Sequence, residues 1–196
     1  LKGKIDLKEG DRIASLVSLS MTPLKINKIL AIHQDIDRVE VDAQAILFES
    51  GLYAKLPDDM SEELALAALD VAGAPAQTRK LVNRGDSVLI LGGAGKSGML
   101  CCYEAMKRCG ATGRVVALVI SNEDARLLKR LRLCHEAIVV SATEPVAVLE
   151  AALEANGGQE YDVSICVVNV KNCEMSCILP VRDGGTVYFL SLIHIS

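Results

Sequence analysis

No stretch of this 196-residue chain approaches the ~18 consecutive apolar residues that a membrane span requires. The opening, LKGKIDLKEGD, is too charged for a signal peptide. Neither sign of charge dominates: 21 basic and 25 acidic residues leave a net charge of −4, without the broad positive field that draws in nucleic acid or anionic lipid. Histidine is scarce. None of His33, His135 and His194 stands at a spacing that completes a zinc set with Cys173-x-x-x-Cys177, so no metal is expected. No Ser-His-Asp or Cys-His arrangement can be placed on the chain. Gly95-Lys96-Ser97 looks like the end of a Walker A motif, but the glycine which that motif needs five positions before Gly95 is replaced by Ile90. The seven cysteines are odd in number and fall in apolar segments, as reduced, buried thiols do. These absences read as a cytosolic protein without disulfides, nucleic-acid partner or membrane anchor.

What is present centres on residues 87–98, SVLILGGAGKSG. Four apolar residues, Val88 to Leu91, are followed by Gly93-x-Gly95-x-x-Gly98 and a helix-like run, the order that a dinucleotide-binding βαβ unit needs. Gly93 suits the tight turn, Gly95 suits backbone approach to a pyrophosphate, and Gly98 suits close packing of the helix on its strand. The helix start, with unpaired N–H groups and partial positive charge, would face the phosphates. Lys96 and Ser97 stand at that start and would add phosphate contacts, although a solvated lysine fits Lys96 as well. With 51% hydrophobic residues, the chain has enough apolar material for a stable core.

Residues 1 to about 56 carry β-branched stretches and turn signals, as in part of a β-rich domain, with strand candidates at 12–19, 28–33, 39–41 and 45–48. Asp59 and Glu62 read as a capping box for a helix reaching Val71, and a short helix follows at 76–82. From Ser87 the pattern alternates: strands at 87–91, 114–120, 136–140, 161–168 and 186–190, helices at 96–109, 123–133, 144–155 and about 173–180. Such alternation predicts a parallel α/β sheet, here a Rossmann doubly wound sheet. The expected division is 1–77, partial β-rich domain with linking helices; 78–191, nucleotide domain; and 192–196, a truncated or non-native tail. Both ends read as cut.

Cofactor choice turns on the end of the second strand, Ile120-Ser121-Asn122, where the carboxylate that accepts from the NAD ribose is absent or displaced to Glu123 or Asp124. Arg126 just beyond suits the 2′-phosphate of NADP, so Ser121, Asn122 and Arg126 favour NADP over NAD. The same residues also suit a plain helix start, with Asn122 as cap. Asn169, ending the fourth strand, stands where sheets of this type meet the nicotinamide, and it equally suits a turn.

A strand-rich segment with GDRI (10–13), a helical DVAGAPAQTRKLV (70–82) and then the glycine loop resembles the medium-chain dehydrogenase/reductase family. Within it, GDRIASLVSLSMTPLKI (10–26), DVAGAPAQ (70–77) and LGGAGKSGMLCCYEA (91–105) are similar to the diaminohexanoate dehydrogenases. The resemblance implies that residues before the nucleotide domain are the C-terminal part of a GroES-like catalytic domain. It also implies an amino acid substrate, oxidative deamination of 3,5-diaminohexanoate to 5-amino-3-oxohexanoate and ammonia in lysine fermentation, and a homo-oligomer at full length. Catalytic residues cannot be assigned, and a fragment of this kind is expected to be inactive alone. A medium-chain alcohol or quinone reductase and a non-catalytic dinucleotide-binding module are the alternatives.

Overall fold

The computed structural model describes residues 6–17 and 21–190, and the chain divides into two compact units, Leu1–Asp70 and Val71–Ser196. In the first unit, β1 (Ile13–Ser15) pairs antiparallel with β4 (Tyr53–Lys55), and β2 (Leu24–His33) pairs antiparallel with β3 (Arg38–Ala45). Asp37, with φ of 52°, takes the left-handed conformation that turns β2 into β3 and that a short polar side chain tolerates. Helix α1 (Glu62–Asp70) closes the unit. Its cap is not the Asp59/Glu62 pair expected from sequence: Ser61 Oγ accepts from Leu64 N–H at 3.3 Å. An N-cap oxygen accepts from the second or third helical N–H, and with the first turn beginning at Glu62 the residue in that register is Ser61. Of the strand expected over 12–19, only Ile13–Ser15 forms among the described residues, while 18 and 19 lie outside them.

The second unit begins with α2 (Gly73–Leu81) and then alternates: β5 (Ser87–Leu91), α3 (Lys96–Cys109), β6 (Arg114–Val119), α4 (Asn122–Arg130), β7 (Glu136–Val139), α5 (Pro145–Ala155), β8 (Tyr161–Cys166), α6 (Glu174–Ile178) and β9 (Val181–Phe189). All four strand pairings are parallel, in the order β7-β6-β5-β8-β9. Val88 and Ile90 face a core shared with α2, α3 and α4, and Leu89 and Leu91 face one shared with α5 and α6. That two-sided burial is why Val88 to Leu91 of β5 and Val115 to Val119 of β6 are apolar at every position rather than at alternate ones. The fold is the doubly wound α/β sheet that the alternation predicts.

The fifth strand departs from expectation. It starts at Val181, not Thr186, because residues 182–185 bulge: Val181 pairs with Tyr161, and the next register pair is Thr186 with Val163. Gly184, with φ of 73°, lets the chain make that bulge, and its glycine pair reads in sequence as a turn. All seven cysteines are buried and free. No helix among the described residues is long and apolar enough to cross a membrane.

Tyr161 shows how the layers are tied. Its ring is fully buried under α5, and its hydroxyl donates to Ala152 O at 2.7 Å. Burial pushes the phenol well above its ordinary value, so it stays a donor throughout the accessible pH range. Tyr161→Phe is expected to destabilise the chain by about 1 kcal/mol in urea denaturation, with the fold retained.

Candidate nucleotide-binding cleft

Between β5 and α3 the backbone makes one tight turn, and its glycines divide the work differently from the sequence reading. The left-handed residue is Gly92 (φ 83°), which precedes the Gly-x-Gly-x-x-Gly pattern, rather than Gly93. Gly93 is buried instead: a Cβ there would lie 2.7 Å from Ala117 Cβ and 3.3 Å from Leu128 Cδ1. At Gly98 a Cβ would stand 2.0 Å from Gly92 O, a distance no contact survives. Gly95 is exposed, caps α3 in extended geometry, and a Cβ there would meet only Gly92 O at an ordinary 3.5 Å. Thus Gly98 lets α3 approach the turn, Gly93 lets the turn seat against β6 and α4, and Gly95 leaves space on the solvent side. No side chain caps the α3 N-terminus. Its first N–H groups and the positive end of the helix dipole therefore face the space above Gly95, the usual setting for an anionic group.

That space is a cleft of about 480 Å³ along the C-terminal ends of the strands. The chain runs from β5 outward through β6 to β7, then crosses back to β8 on the other side of β5, so the cleft sits where the winding reverses. Gly92, Ala94 and Gly95 form its middle. Leu118, Val119, Ile120 and Asp124, with Ser141, Ala142 and Thr143, line one side, and Val167 to Val170 line the other.

The candidate residues separate accordingly. Gly95 and Asn169 line the cleft, whereas Gly93 and Gly98 form its buried support. Lys96 is exposed and Ser97 half-buried on the first turn of α3, outside the lining. Ser121, Asn122 and Arg126 are also outside it. The cap of α4 is Ser121 and not Asn122: Ser121 Oγ accepts from Asp124 N–H at 3.1 Å and donates to Asp124 Oδ2 at 2.8 Å. This reciprocal pair holds the Asp124 carboxylate at the cleft, where among the described residues it is the only charged side chain in the lining. The sequence offered Asp124 only as a displaced carboxylate beside Glu123. The signal that selects it is the Ser-x-x-Asp spacing, which ties the acid back onto its own cap. His135 precedes β7 at the opposite end of the sheet, where its Nδ1 accepts from Val115 N–H at 2.9 Å, and among the described residues no histidine lines the cleft.

Residues 1–57 match the domain family described as L-erythro-3,5-diaminohexanoate dehydrogenase N-terminal domain. The chain is 66% identical over 192 residues to an L-erythro-3,5-diaminohexanoate dehydrogenase of Acetoanaerobium sticklandii, and 58% identical over 192 residues to one of Fusobacterium nucleatum subsp. nucleatum. Both comparisons cover 98% of this chain and 56% of the relative, so the chain spans little more than half the length of either. A solved mycobacterial quinone oxidoreductase in its native form is 25% identical, with a TM-score of 0.57 over 69% of this chain and 40% of that one. A solved mycobacterial protein complexed with NADPH is likewise 25% identical, with a TM-score of 0.58 over the same shares of the two chains. Sheet and glycine turn define the doubly wound α/β half of a medium-chain oxidoreductase fold. By sequence the chain is similar to the L-erythro-3,5-diaminohexanoate dehydrogenases over little more than half of their length.

The glycine geometry is directly testable. Gly98→Ala is expected to cost about 3 kcal/mol or more in urea denaturation, or to prevent folding, because backbone must move. Gly95→Ala is expected to cost less than about 1 kcal/mol.

Proposed function

We propose that this chain carries the NAD(P)-binding part of a cytoplasmic dehydrogenase that deaminates 3,5-diaminohexanoate oxidatively in lysine fermentation. The observation that carries the dinucleotide reading is the uncapped α3 N-terminus above an open Gly95, with Gly92, Gly93 and Gly98 leaving no room for side chains. A phosphate group can meet N–H donors there without moving any side chain. The two relatives named for the same activity support the substrate class, and the mycobacterial complex with NADPH supports a nicotinamide dinucleotide. Seven free cysteines support a reducing compartment.

The bound dinucleotide would accept a hydride from C3 of the diamino acid, and water would then release ammonia and leave the 3-oxo product. This chain's part is to bind and orient. Gly95 and the α3 N-terminus would hold the pyrophosphate, Asp124 the ribose at the Ile120 end, and Val167 to Val170 would form an apolar wall beside the reacting ring, with Asn169 as its polar group. Burying the ring against that wall excludes water.

Between the two dinucleotides, the geometry favours NAD. The case for NADP rested on Ser121, Asn122 and Arg126, all of them outside the lining, whereas Asp124 contributes a carboxylate that accepts from a free 2′-hydroxyl and repels a 2′-phosphate.

Titration of the chain with NADH and NADPH by calorimetry tests the reading. NADH is expected to bind more tightly than NADPH, Gly95→Asp to abolish both, and Asp124→Ala to narrow the preference about tenfold. If a folded native chain binds neither dinucleotide, the reading fails.

A further inference from the structure

A group of sulfur atoms lies directly beneath the Val167–Val170 wall of the cleft. Cys166 is the last residue of β8 and Cys173 immediately precedes α6, and their Sγ atoms are 3.7 Å apart with no group between them. Cys177, one helical turn after Cys173, donates to or accepts from Ser164 Oγ at 3.0 Å. Nothing in the deamination chemistry uses these thiols. The Cys166 to Cys173 contact spans the base of the 167–172 segment, and four of the six residues it encloses line the cleft. A disulfide needs the sulfurs at about 2.05 Å, so oxidation has to draw the two Sγ atoms together from 3.7 Å.

The wall is also coupled to the phosphate turn. A Cβ on Gly92 would lie 2.5 Å from Val168 Cγ1, so Val168 already fills the space beside that glycine. A change in how 167–172 is held therefore reaches the glycine turn through one packed contact.

We infer that Cys166 and Cys173 form a reversible disulfide that staples the 167–172 wall and weakens dinucleotide binding, making the cleft sensitive to peroxide-class oxidants. Cys173, 4% exposed against 0% for Cys166, is the residue an oxidant meets first. Its sulfur attacks hydrogen peroxide, the O–O bond breaks, and water leaves as the sulfenic acid forms. The Cys166 sulfur then attacks the sulfenic sulfur and a second water leaves. Two thiols and one peroxide give one disulfide and two waters, with the peroxide taking both electrons. Burial pushes the Cys173 thiol up to about 11, so thiolate is scarce at neutral pH and the response is to sustained rather than transient oxidant.

The regulatory half of this inference rests on the dinucleotide reading, and the experiment separates the two. The 196-residue chain is treated with hydrogen peroxide, the crosslink is mapped by peptide mass spectrometry under non-reducing conditions, and NADH and NADPH are titrated before oxidation, after it and after dithiothreitol. A Cys166–Cys173 peptide pair, a Kd raised about fivefold or more, and recovery on reduction are expected. Cys173→Ser should abolish both the crosslink and the peroxide effect while keeping reduced-state binding, and Cys177→Ser should keep all three. Pairing of Cys166 with Cys177 instead, or no crosslink, overturns the assignment. A crosslink that leaves Kd unchanged overturns the regulatory half. If the reduced, folded chain binds neither dinucleotide, the cofactor reading falls and takes the regulatory half with it, while the peptide map still decides the crosslink.

Discussion

The contact on which the second unit depends is between the start of α3 and the turn that feeds it. The helix backbone passes so close to Gly92 O that a single methyl group at Gly98 would lie 2.0 Å away. Only a residue without a side chain permits that approach. From it follow the position of the α3 N-terminus at the end of β5, the seating of Gly93 against Ala117 of β6 and Leu128 of α4, and the filling of the space beside Gly92 by Val168. Three strands and two helices are thus aligned on one turn, and the cleft above is where their ends meet. Packed cores transmit displacement rather than absorb it, so this turn cannot be altered alone.

The two sides of the cleft are held by different physics. On the Ile120 side, a hydroxyl and a carboxylate satisfy each other across the first turn of α4, which orders Asp124 through local hydrogen bonds. On the other side, the wall after β8 is held by packing and by weak sulfur contacts under it, with Cys166 and Cys177 both fully buried. Local polar closure gives a rigid, charged side. The other side presents the mainly apolar residues Val167 to Val170 above buried thiols.

Much of this architecture was legible in the residues. The strand of Val88 to Leu91, the helix from Lys96 to Cys109 and the parallel alternation follow from continuous apolar runs, glycine punctuation and helical spacing, and each occupies the place expected of it. Less legible were features that depend on register. The left-handed turn residue is Gly92, hidden because the motif begins one residue later. The cap of α4 is Ser121 although Asn122 caps equally well by type, since the choice depends on where the first helical turn closes. The early start of β9 was hidden by its own Gly184-Gly185 pair, which serves a bulge rather than a turn.

The sequence by itself determined the α/β alternation, the glycine loop at the head of a helix and the family to which the residues are similar, because these are properties of local spacing and composition that no distant contact can reverse. Only the tertiary structure decided which of the polar residues after β6 faces the cleft, which glycine turns the chain, and that Cys166 and Cys173 meet under the wall. Those outcomes depend on register between strands and on the path of the chain between distant positions, and side-chain direction changes with each residue of register.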